Sequence, residues 1–232
     1  MTSRFLISAL FAGACAGLTA GLLQYLFVQP VLLHAELYES GTLVHFGADP
    51  VSAHPELPGF DAMRDGLTFV FTMLIYTGYA LLMVAAMGLA EERGATIDGR
   101  WGILWGVAGF VAFHLAPGFT LAPEVPGVAA GDVGARQIWW FATVGAAAVA
   151  MWLLAFGQNW MMWGAAVILL LAPHVIGAPE PDTFAGPVPT EIAALYAARA
   201  FGVGLAAWVL LGVFAGYFWQ REGAHQASSA KV

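Results

Sequence analysis

Charged side chains are scarce in this sequence. Asp, Glu, Lys and Arg make up 10% of its 232 residues, whereas hydrophobic residues make up 60%. Soluble domains carry about 25% charged residues. Several apolar runs approach or exceed the roughly 20 residues that cross a bilayer. The scarcity of charge therefore excludes an ordinary soluble domain and predicts a polytopic membrane protein, with residues 1–232 forming a single transmembrane domain.

The sequence also lacks paired cysteines and the common catalytic motifs. Cys15 is the single cysteine, so no disulfide can form within the chain. No Walker A motif is present, which excludes ATP hydrolysis through a P-loop. CxxC, HExxH and Gly-x-Ser-x-Gly motifs are absent as well. Nothing basic or aromatic enough indicates nucleic-acid binding. We therefore predict that the chain is not an enzyme and binds no nucleic acid.

Six apolar runs are candidate transmembrane helices, which predicts an all-α fold. They are residues 5–29, 67–90, 101–120, 137–156, 160–177 and 194–219. Only Gly157, Gln158 and Asn159 separate the fourth run from the fifth, so five spans are the alternative. Six are preferred because residues 137–177 would form a single helix of about 60 Å, twice the thickness of a bilayer core of about 30 Å.

The basic residues give these spans an orientation. With six spans, both termini and the loop 91–100 lie on one side, which holds five of the eight Lys and Arg residues. By the positive-inside rule this side is cytoplasmic. The opposite, outer side holds most of the acidic residues and the outer loop 34–65. It also holds five of the six histidines, namely His34, His45, His54, His114 and His174. An acidic outer face attracts cations.

The spans pair into three outward-facing helical hairpins whose turns share one order of residues. Each turn presents a histidine near a helix end, then a glutamate, then an arginine where the next helix begins. The histidines are His34, His114 and His174, the glutamates Glu36, Glu124 and Glu180, and the arginines Arg64, Arg136 and Arg199. The spacings differ between the turns. Internal repeats are frequent in transporters, and their ion sites lie at the repeat interface.

The histidines and glutamates of the three turns are candidate metal ligands. Imidazole suits cobalt, nickel, copper, zinc and iron, and carboxylates complete a mixed nitrogen and oxygen site. Pro117 and Pro173 lie close to two of the histidines and would break the helical hydrogen bonding there. Such a backbone survives at membrane depth where it lines a cavity. The predicted metal ligands are His34, Glu36, His114, Glu124, His174 and Glu180.

Structural roles are the alternative for each of these residues. The histidines could bond carbonyls that the prolines free, and the glutamates could be solvated or pair with the arginines. We expect Arg64 to pair with Asp61 or Asp65, Arg136 with Asp132, and Arg199 with Glu191. His45 and His54 in the first outer loop could form an antechamber for cations, or could simply be solvated.

Glycines recur every four residues in the first apolar run. Gly13, Gly17 and Gly21 form a GxxxGxxxG stripe, and two shorter pairs repeat the spacing, Gly102 with Gly106 and Gly212 with Gly216. Stripes of this kind let the backbones of membrane helices approach closely. We predict that all of them serve helix packing.

Five stretches, taken in this order, resemble the CbtA family of proposed cobalt transporter proteins. They are LFVQPVLLHAELYE (26–39), DAMRDGLTFVFT (61–72), FHLAPGFTLAPEVPG (113–127), ARQIWW (135–140) and LAPHVIGAPEP (171–181). The resemblance covers essentially the whole chain. It implies a multi-pass protein of the bacterial inner membrane that takes up cobalt for cobalamin synthesis. It also implies a CbtB-like partner, a small single-span protein with a histidine-rich, metal-binding end.

The expected function is therefore transport of a divalent transition-metal cation, with cobalt as the expected metal. The metal is cargo, and no tightly bound cofactor is expected. A homo-oligomer is compatible with this function. A second hypothesis is a membrane scaffold subunit that transports nothing, which would suit the many small-residue faces. A third is a membrane-bound enzyme whose three histidines converge on one tightly held metal.

Overall fold

In the computed structural model, which describes residues 2–45 and 51–229, the chain is helical and the described residues contain no strand. The fold is thus all-α, as predicted. Two short π-helical turns interrupt the helices. The elements in chain order are α1 (Thr2–Leu23), π1 (Gln24–Val28), α2 (Gln29–Glu39), α3 (Ala62–Glu91), α4 (Gly102–Phe110), π2 (Val111–Leu115), α5 (Ala116–Thr120), α6 (Val133–Phe156), α7 (Trp160–Ile176) and α8 (Thr190–Ser229).

Within the described residues, five helices are long and apolar enough to cross a membrane. They are Thr2–Glu39, Ala62–Glu91, Gly102–Thr120, Val133–Phe156 and Thr190–Ser228. The sixth, α7, is a shorter apolar helix of 17 residues, or about 25 Å at 1.5 Å per residue. These helices coincide with the six predicted runs and extend several of them. The protein is a polytopic membrane protein.

The break between the fourth and fifth runs is a true helix boundary. α6 ends at Phe156, and Asn159 caps α7 by accepting a hydrogen bond from the Met162 backbone N–H at 3.1 Å. An asparagine at this position satisfies one of the N–H groups that a helix start leaves unpaired. Residues 137–177 therefore form two helices rather than one merged span. Because α7 is shorter than the five described helices that qualify as spans, the count of six spans stays a prediction.

Contacts among the helices divide the chain into two compact units. The first comprises Met1–Tyr25, Phe60–Phe110 and Val203–Val232, and the second comprises Leu26–Gly59 and Val111–Gly202. The prediction of a single transmembrane domain stays a prediction.

In the first unit, α1 packs on α3 through the predicted glycine stripe. A Cβ on Gly17 would lie 2.5 Å from the Cα of Met73, and a Cβ on Gly21 would lie 2.7 Å from the ring of Phe69. Carbon atoms that are not bonded to each other do not approach this closely, so only glycine allows the two helices to come together here. Later residues of α1 meet earlier residues of α3, so the helices are antiparallel. The predicted packing role of this stripe is confirmed.

A second close contact in the same unit joins α4 to α8. The backbones of Gly102 and Gly106 approach Gly212 and Trp208 too closely for any side chain at the glycines. Gly216 likewise faces the backbone of Asp98. The paired glycines of the third and sixth runs thus meet each other, and their predicted role in helix packing is also confirmed.

An arginine ties three segments of the first unit together. Arg4 donates to both carboxylate oxygens of Glu91, at 2.9 and 3.0 Å, and to the carbonyl oxygen of Trp219 at 3.0 Å. Its guanidinium also stacks over the Trp219 ring, 3.9 Å from the centroid. Because guanidinium forks match carboxylates and stack on aromatic faces, this residue joins the start of α1 to the ends of α3 and α8.

In the second unit, α6 packs against α7 and against the outer half of the third run. Ala112, Ala116 and Ala147 are buried together there, with Phe113 and Leu170 packed around them. The first and second predicted hairpins, α1 with α3 and π2–α5 with α6, are therefore packed helix pairs.

Each π-helical turn ends two residues before a proline. π1 ends at Val28 ahead of Pro30, and π2 ends at Leu115 ahead of Pro117. A proline has no N–H and clashes with the carbonyl four residues earlier, and a π-turn is one way for a helix to accommodate the disturbance. The prolines thus loosen the helices locally, and the helices continue beyond them.

Candidate functional site

His174 lies where α7 meets the end of the third run. Its Nδ1 is 3.1 Å from the hydroxyl oxygen of Thr120. The ring of Phe119 stands edge-on to it, with centroids 5.2 Å apart, and the ring of Trp139 does so at 6.1 Å. The imidazole is therefore held by an aromatic wall and one hydroxyl group. Thr120 orients one ring nitrogen, which leaves the other for a further ligand.

A hydrogen bond to the main chain of Pro173 holds α7 in place next to His174. Trp139 of α6 donates its indole N–H to the carbonyl oxygen of Pro173 at 3.2 Å, and this bond is buried. The helix ends three residues later at Ile176, where Gly177 has a φ of +90°, a conformation that favours glycine. Pro173 thus marks the last turn of α7 and leaves His174 at the helix end.

His114 belongs to the π-helical turn π2 and is half-buried. Its helix ends at Thr120, the residue that contacts His174. Six residues separate His114 from Thr120, which is about 9 Å along a helix. The structure thus brings together the helices that carry these two histidines, as the hairpin model requires. It places His174 beside the helix end and His114 deeper in the same helix.

His34 lies on α2 among other aromatic rings. Its centroid is 5.6 Å from that of Tyr38, and Tyr38 stands edge-on to His45 at 6.5 Å. His54 lies within electrostatic range of His34. The Nε2 atom of His34 is buried and has no hydrogen-bond partner among residues 2–45 and 51–229. His34 thus lies beside Tyr38, which also contacts His45, and close to His54, surroundings that the hairpin pattern did not predict.

The three glutamates are exposed and differ in their surroundings. Glu124 forms an ion pair with Arg136, with 2.6 Å between the Oε2 and Nη2 atoms. Glu36 and Glu180 are exposed side chains on α2 and on the loop after α7. The structural alternative, a glutamate paired with an arginine, is thus realised for Glu124.

The arginines find partners that differ in part from those expected. Arg64 pairs with Asp65, with Nε and Oδ1 2.8 Å apart, as predicted. The expected partner of Arg136, Asp132, instead caps α6 by accepting from the Ala135 N–H at 2.8 Å. That expectation was wrong because an aspartate directly before a helix bonds the free N–H groups of its first turn.

Arg199 has a main-chain partner rather than the expected Glu191. Its Nη1 donates to the carbonyl oxygen of Phe27 at 2.9 Å, whereas Glu191 accepts from the hydroxyl of its neighbour Thr190 at 3.3 Å. The sequence did not predict this contact because the acceptor is a main-chain carbonyl, which every residue has.

The outer loops of the second unit pack on one another. The Ala129 N–H donates to the carbonyl oxygen of Ala185 at 2.7 Å. Gly127, with φ +79°, lies so close to Glu39 that a Cβ would be 3.2 Å from the Glu39 Cγ. The loops after α5 and α7 and the end of α2 thus form one surface. No repeat or motif in the sequence pointed to this contact.

The predicted ligands do not form a ready-made site in the described part of the chain. Among residues 2–45 and 51–229, no three His, Cys, Asp or Glu side chains are grouped so that they could hold a metal ion. His174 and His114 lie on packed helices, and His34 lies beside Tyr38. The six-residue ligand set stays a prediction.

Comparison with known families decides the identity of the chain. A family model described as "Probable cobalt transporter subunit (CbtA)" matches residues 2–220. The chain belongs to the CbtA family. The match covers α1 to α7 in full and α8 as far as residue 220, so the resemblance seen in the five stretches extends over nearly the whole fold. Curated proteins and solved structures gave no match.

Membership of the CbtA family assigns the chain to cobalt transport. The family's description names a transporter subunit rather than an enzyme, and the word "subunit" implies a partner. The apolar helices agree with a multi-pass membrane protein. The cobalt ion is the cargo of such a protein.

Proposed function

We propose that this CbtA chain carries cobalt inward across the bacterial inner membrane, in support of cobalamin synthesis. Its partner would be a small single-span protein with a histidine-rich end that captures the metal first. The observation that carries the proposal is the family match over residues 2–220, on a chain with five helices able to cross a membrane. Five of the six histidines lie on the face that we predict to be outside.

Cations would gather at the acidic outer face and exchange water for protein ligands. We assign His34, His114 and His174 as nitrogen ligands and Glu36, Glu124 and Glu180 as supporting oxygen ligands. Two features support the pair His114 and His174. Their helices are packed together, and Thr120 fixes one nitrogen of His174, as outer partners of metal-binding histidines commonly do. Ligands of one ion have nitrogens within about 4 Å of each other given bonds near 2.0–2.1 Å, so the proposal requires the histidines to come this close when the metal is bound.

Replacing His114 and His174 together by alanine tests the ligand assignment. We expect cobalt accumulation in cells to fall to the level of cells that lack the protein, because the variant keeps only one of the three proposed nitrogen ligands. The matched control is His225→Ala, which removes a histidine from the predicted cytoplasmic end of α8. Unchanged uptake in the double variant, at equal protein abundance in the membrane, would remove both histidines from the ligand set.

A non-transporting scaffold subunit is the second candidate. The close glycine contacts of α1 with α3 and of α4 with α8 favour it, because tight packing of small residues also suits permanent assembly. Purified chain in liposomes, alone and with its partner, separates the two candidates. Cobalt entry that requires this chain supports the transporter, whereas cobalt entry through the partner alone supports the scaffold.

A further inference from the structure

Arg199 is the only Asp, Glu, Lys or Arg within the six predicted spans. Charged side chains inside a membrane are costly, and they commonly mark ion pathways or gates. Here the charge lies in α8, nine residues after the helix begins at Thr190. Its position in an otherwise uncharged set of spans indicates a specific role.

The partner of Arg199 is a carbonyl oxygen of the kind that binds cations. Its guanidinium donates to Phe27 at 2.9 Å, and Phe27 belongs to the π-turn that precedes Pro30. Irregular turns in membrane helices free carbonyl oxygens, and in transporters such oxygens coordinate transported ions. The guanidinium therefore occupies the position at the Phe27 carbonyl that a free metal cation could otherwise take.

This charge lies on the same helical segment as a predicted ligand. Phe27 and His34 are seven residues apart, about 10 Å along a helix, and both belong to the second unit. Phe27 lies on the N-terminal side of His34, which is the cytoplasmic direction in the predicted orientation. A cation at His34 would therefore meet the positive charge of Arg199 on its way inward.

We propose that Arg199 is a specificity-determining residue, a tethered cation that occupies the Phe27 carbonyl and keeps small cations from leaking inward past the predicted ligands. The proposal rests on the proposed transport function. It requires the positive charge itself, so lysine at this position would replace arginine and a neutral residue would not. Transport of the cargo then requires the guanidinium to leave the carbonyl.

The test is passive cation leak through purified full-length chain in liposomes, with thallium ion as the probe and a fluorescent indicator inside. We expect Arg199→Gln to raise the leak roughly tenfold, as expected from one unit charge acting at about 10 Å through a medium of effective dielectric constant about 20. Arg199→Lys is expected to stay near the native leak. The matched control Arg221→Gln removes an exposed arginine of the same helix, beyond the predicted span 194–219, and is expected to leave the leak unchanged.

Two outcomes overturn the proposal. A native-like leak in Arg199→Gln shows that the charge is no barrier, and a leak in Arg199→Lys equal to that of the glutamine variant shows that the charge is not the decisive property. Arg199→Met, which suits an apolar helix, gives the neutral comparison if the glutamine variant does not fold. The thallium leak is measured without cobalt. If the native protein did not transport cobalt, the proposed function would be contradicted, but the leak of the variants could still be compared with that of the native protein.

Discussion

His34 combines a buried, unpaired ring nitrogen with a place among the predicted ligands. Its Nε2 atom has no hydrogen-bond partner in the described part of the chain, and leaving a buried polar atom unsatisfied costs about 1–3 kcal/mol. Tyr38 stacks on the ring and positions it. Sites of function often carry such a cost in stability. The unpaired nitrogen is the atom that a metal ion would engage.

Replacing His34 by leucine should therefore separate stability from function. We expect His34→Leu to melt at the native temperature or slightly above it in detergent, because an apolar side chain removes the unsatisfied nitrogen. Cobalt uptake by cells should fall. The matched control is His45→Leu, which replaces an exposed histidine. We expect no rise in melting temperature for this variant. A clearly lower melting temperature for His34→Leu would mean that the imidazole stabilises the fold.

At the scale of the helix, glycines differ in whether they lie at a contact between helices. Gly17 faces the backbone of Met73, whereas Gly78 on α3 has nothing within 4 Å of an added Cβ. Both are glycines in membrane helices, and the sequence alone does not distinguish them. The structure does, because only the first lies at a contact between helices.

Alanine at these two positions should change stability in opposite directions. We expect Gly17→Ala to destabilise the protein by about 1–3 kcal/mol through overpacking. Gly78→Ala should stabilise it by roughly 0.5–1 kcal/mol, because alanine is the better helix former where space is open. Thermal melting of the purified protein in one detergent measures both. Equal effects of the two substitutions would contradict the close contact of α1 with α3.

The prolines also act at this scale. Pro117 and Pro173 predicted a disturbed helix. A π-turn precedes Pro117 and another precedes Pro30 at the same offset, whereas Pro173 lies inside α7. The candidate ligands do not share that offset, since His114 precedes its proline by three residues and His34 follows its proline by four. Two of the three turns thus share the backbone irregularity, whereas the register of the histidines differs between them.

For the whole molecule, the predicted orientation is open to a direct test. The five basic residues at the termini and in the loop 91–100 predict that this side is cytoplasmic. Ser52 in the first outer loop and Ser228 near the end of α8 are both exposed, so a cysteine at either position would be reachable from its own side of the membrane.

Single cysteines at these positions should report opposite sides. In a Cys15→Ser background, which removes the only native cysteine, we expect Ser52→Cys to react with a membrane-impermeant maleimide on spheroplasts, which expose the inner membrane. Ser228→Cys should react only after the membrane is opened. The measurement is the fraction of protein labelled. The reverse pattern would invert the predicted orientation and place the acidic face and the candidate ligands on the cytoplasmic side.

The sequence by itself determined the helical membrane architecture. Apolar runs must bury their backbone polar groups inside helices to lie in a bilayer, so composition and run length suffice to predict the spans. The glycine stripes predicted close packing for the same reason, because a missing side chain is visible in the sequence. The Asn159 cap, which separates α6 from α7, is a local signal too, although only the structure showed it in use.

Only the tertiary structure decided which polar groups meet. Arg136 pairs with Glu124, twelve residues away, and Arg199 with a carbonyl 172 residues away. His174 meets Thr120, which is 54 residues away in the sequence. Such partners depend on how helices distant in sequence pack and on where prolines alter the backbone, and neither is encoded in local spacing. The order of residues in the three turns therefore predicted the candidates, and the packing of the helices set their neighbours.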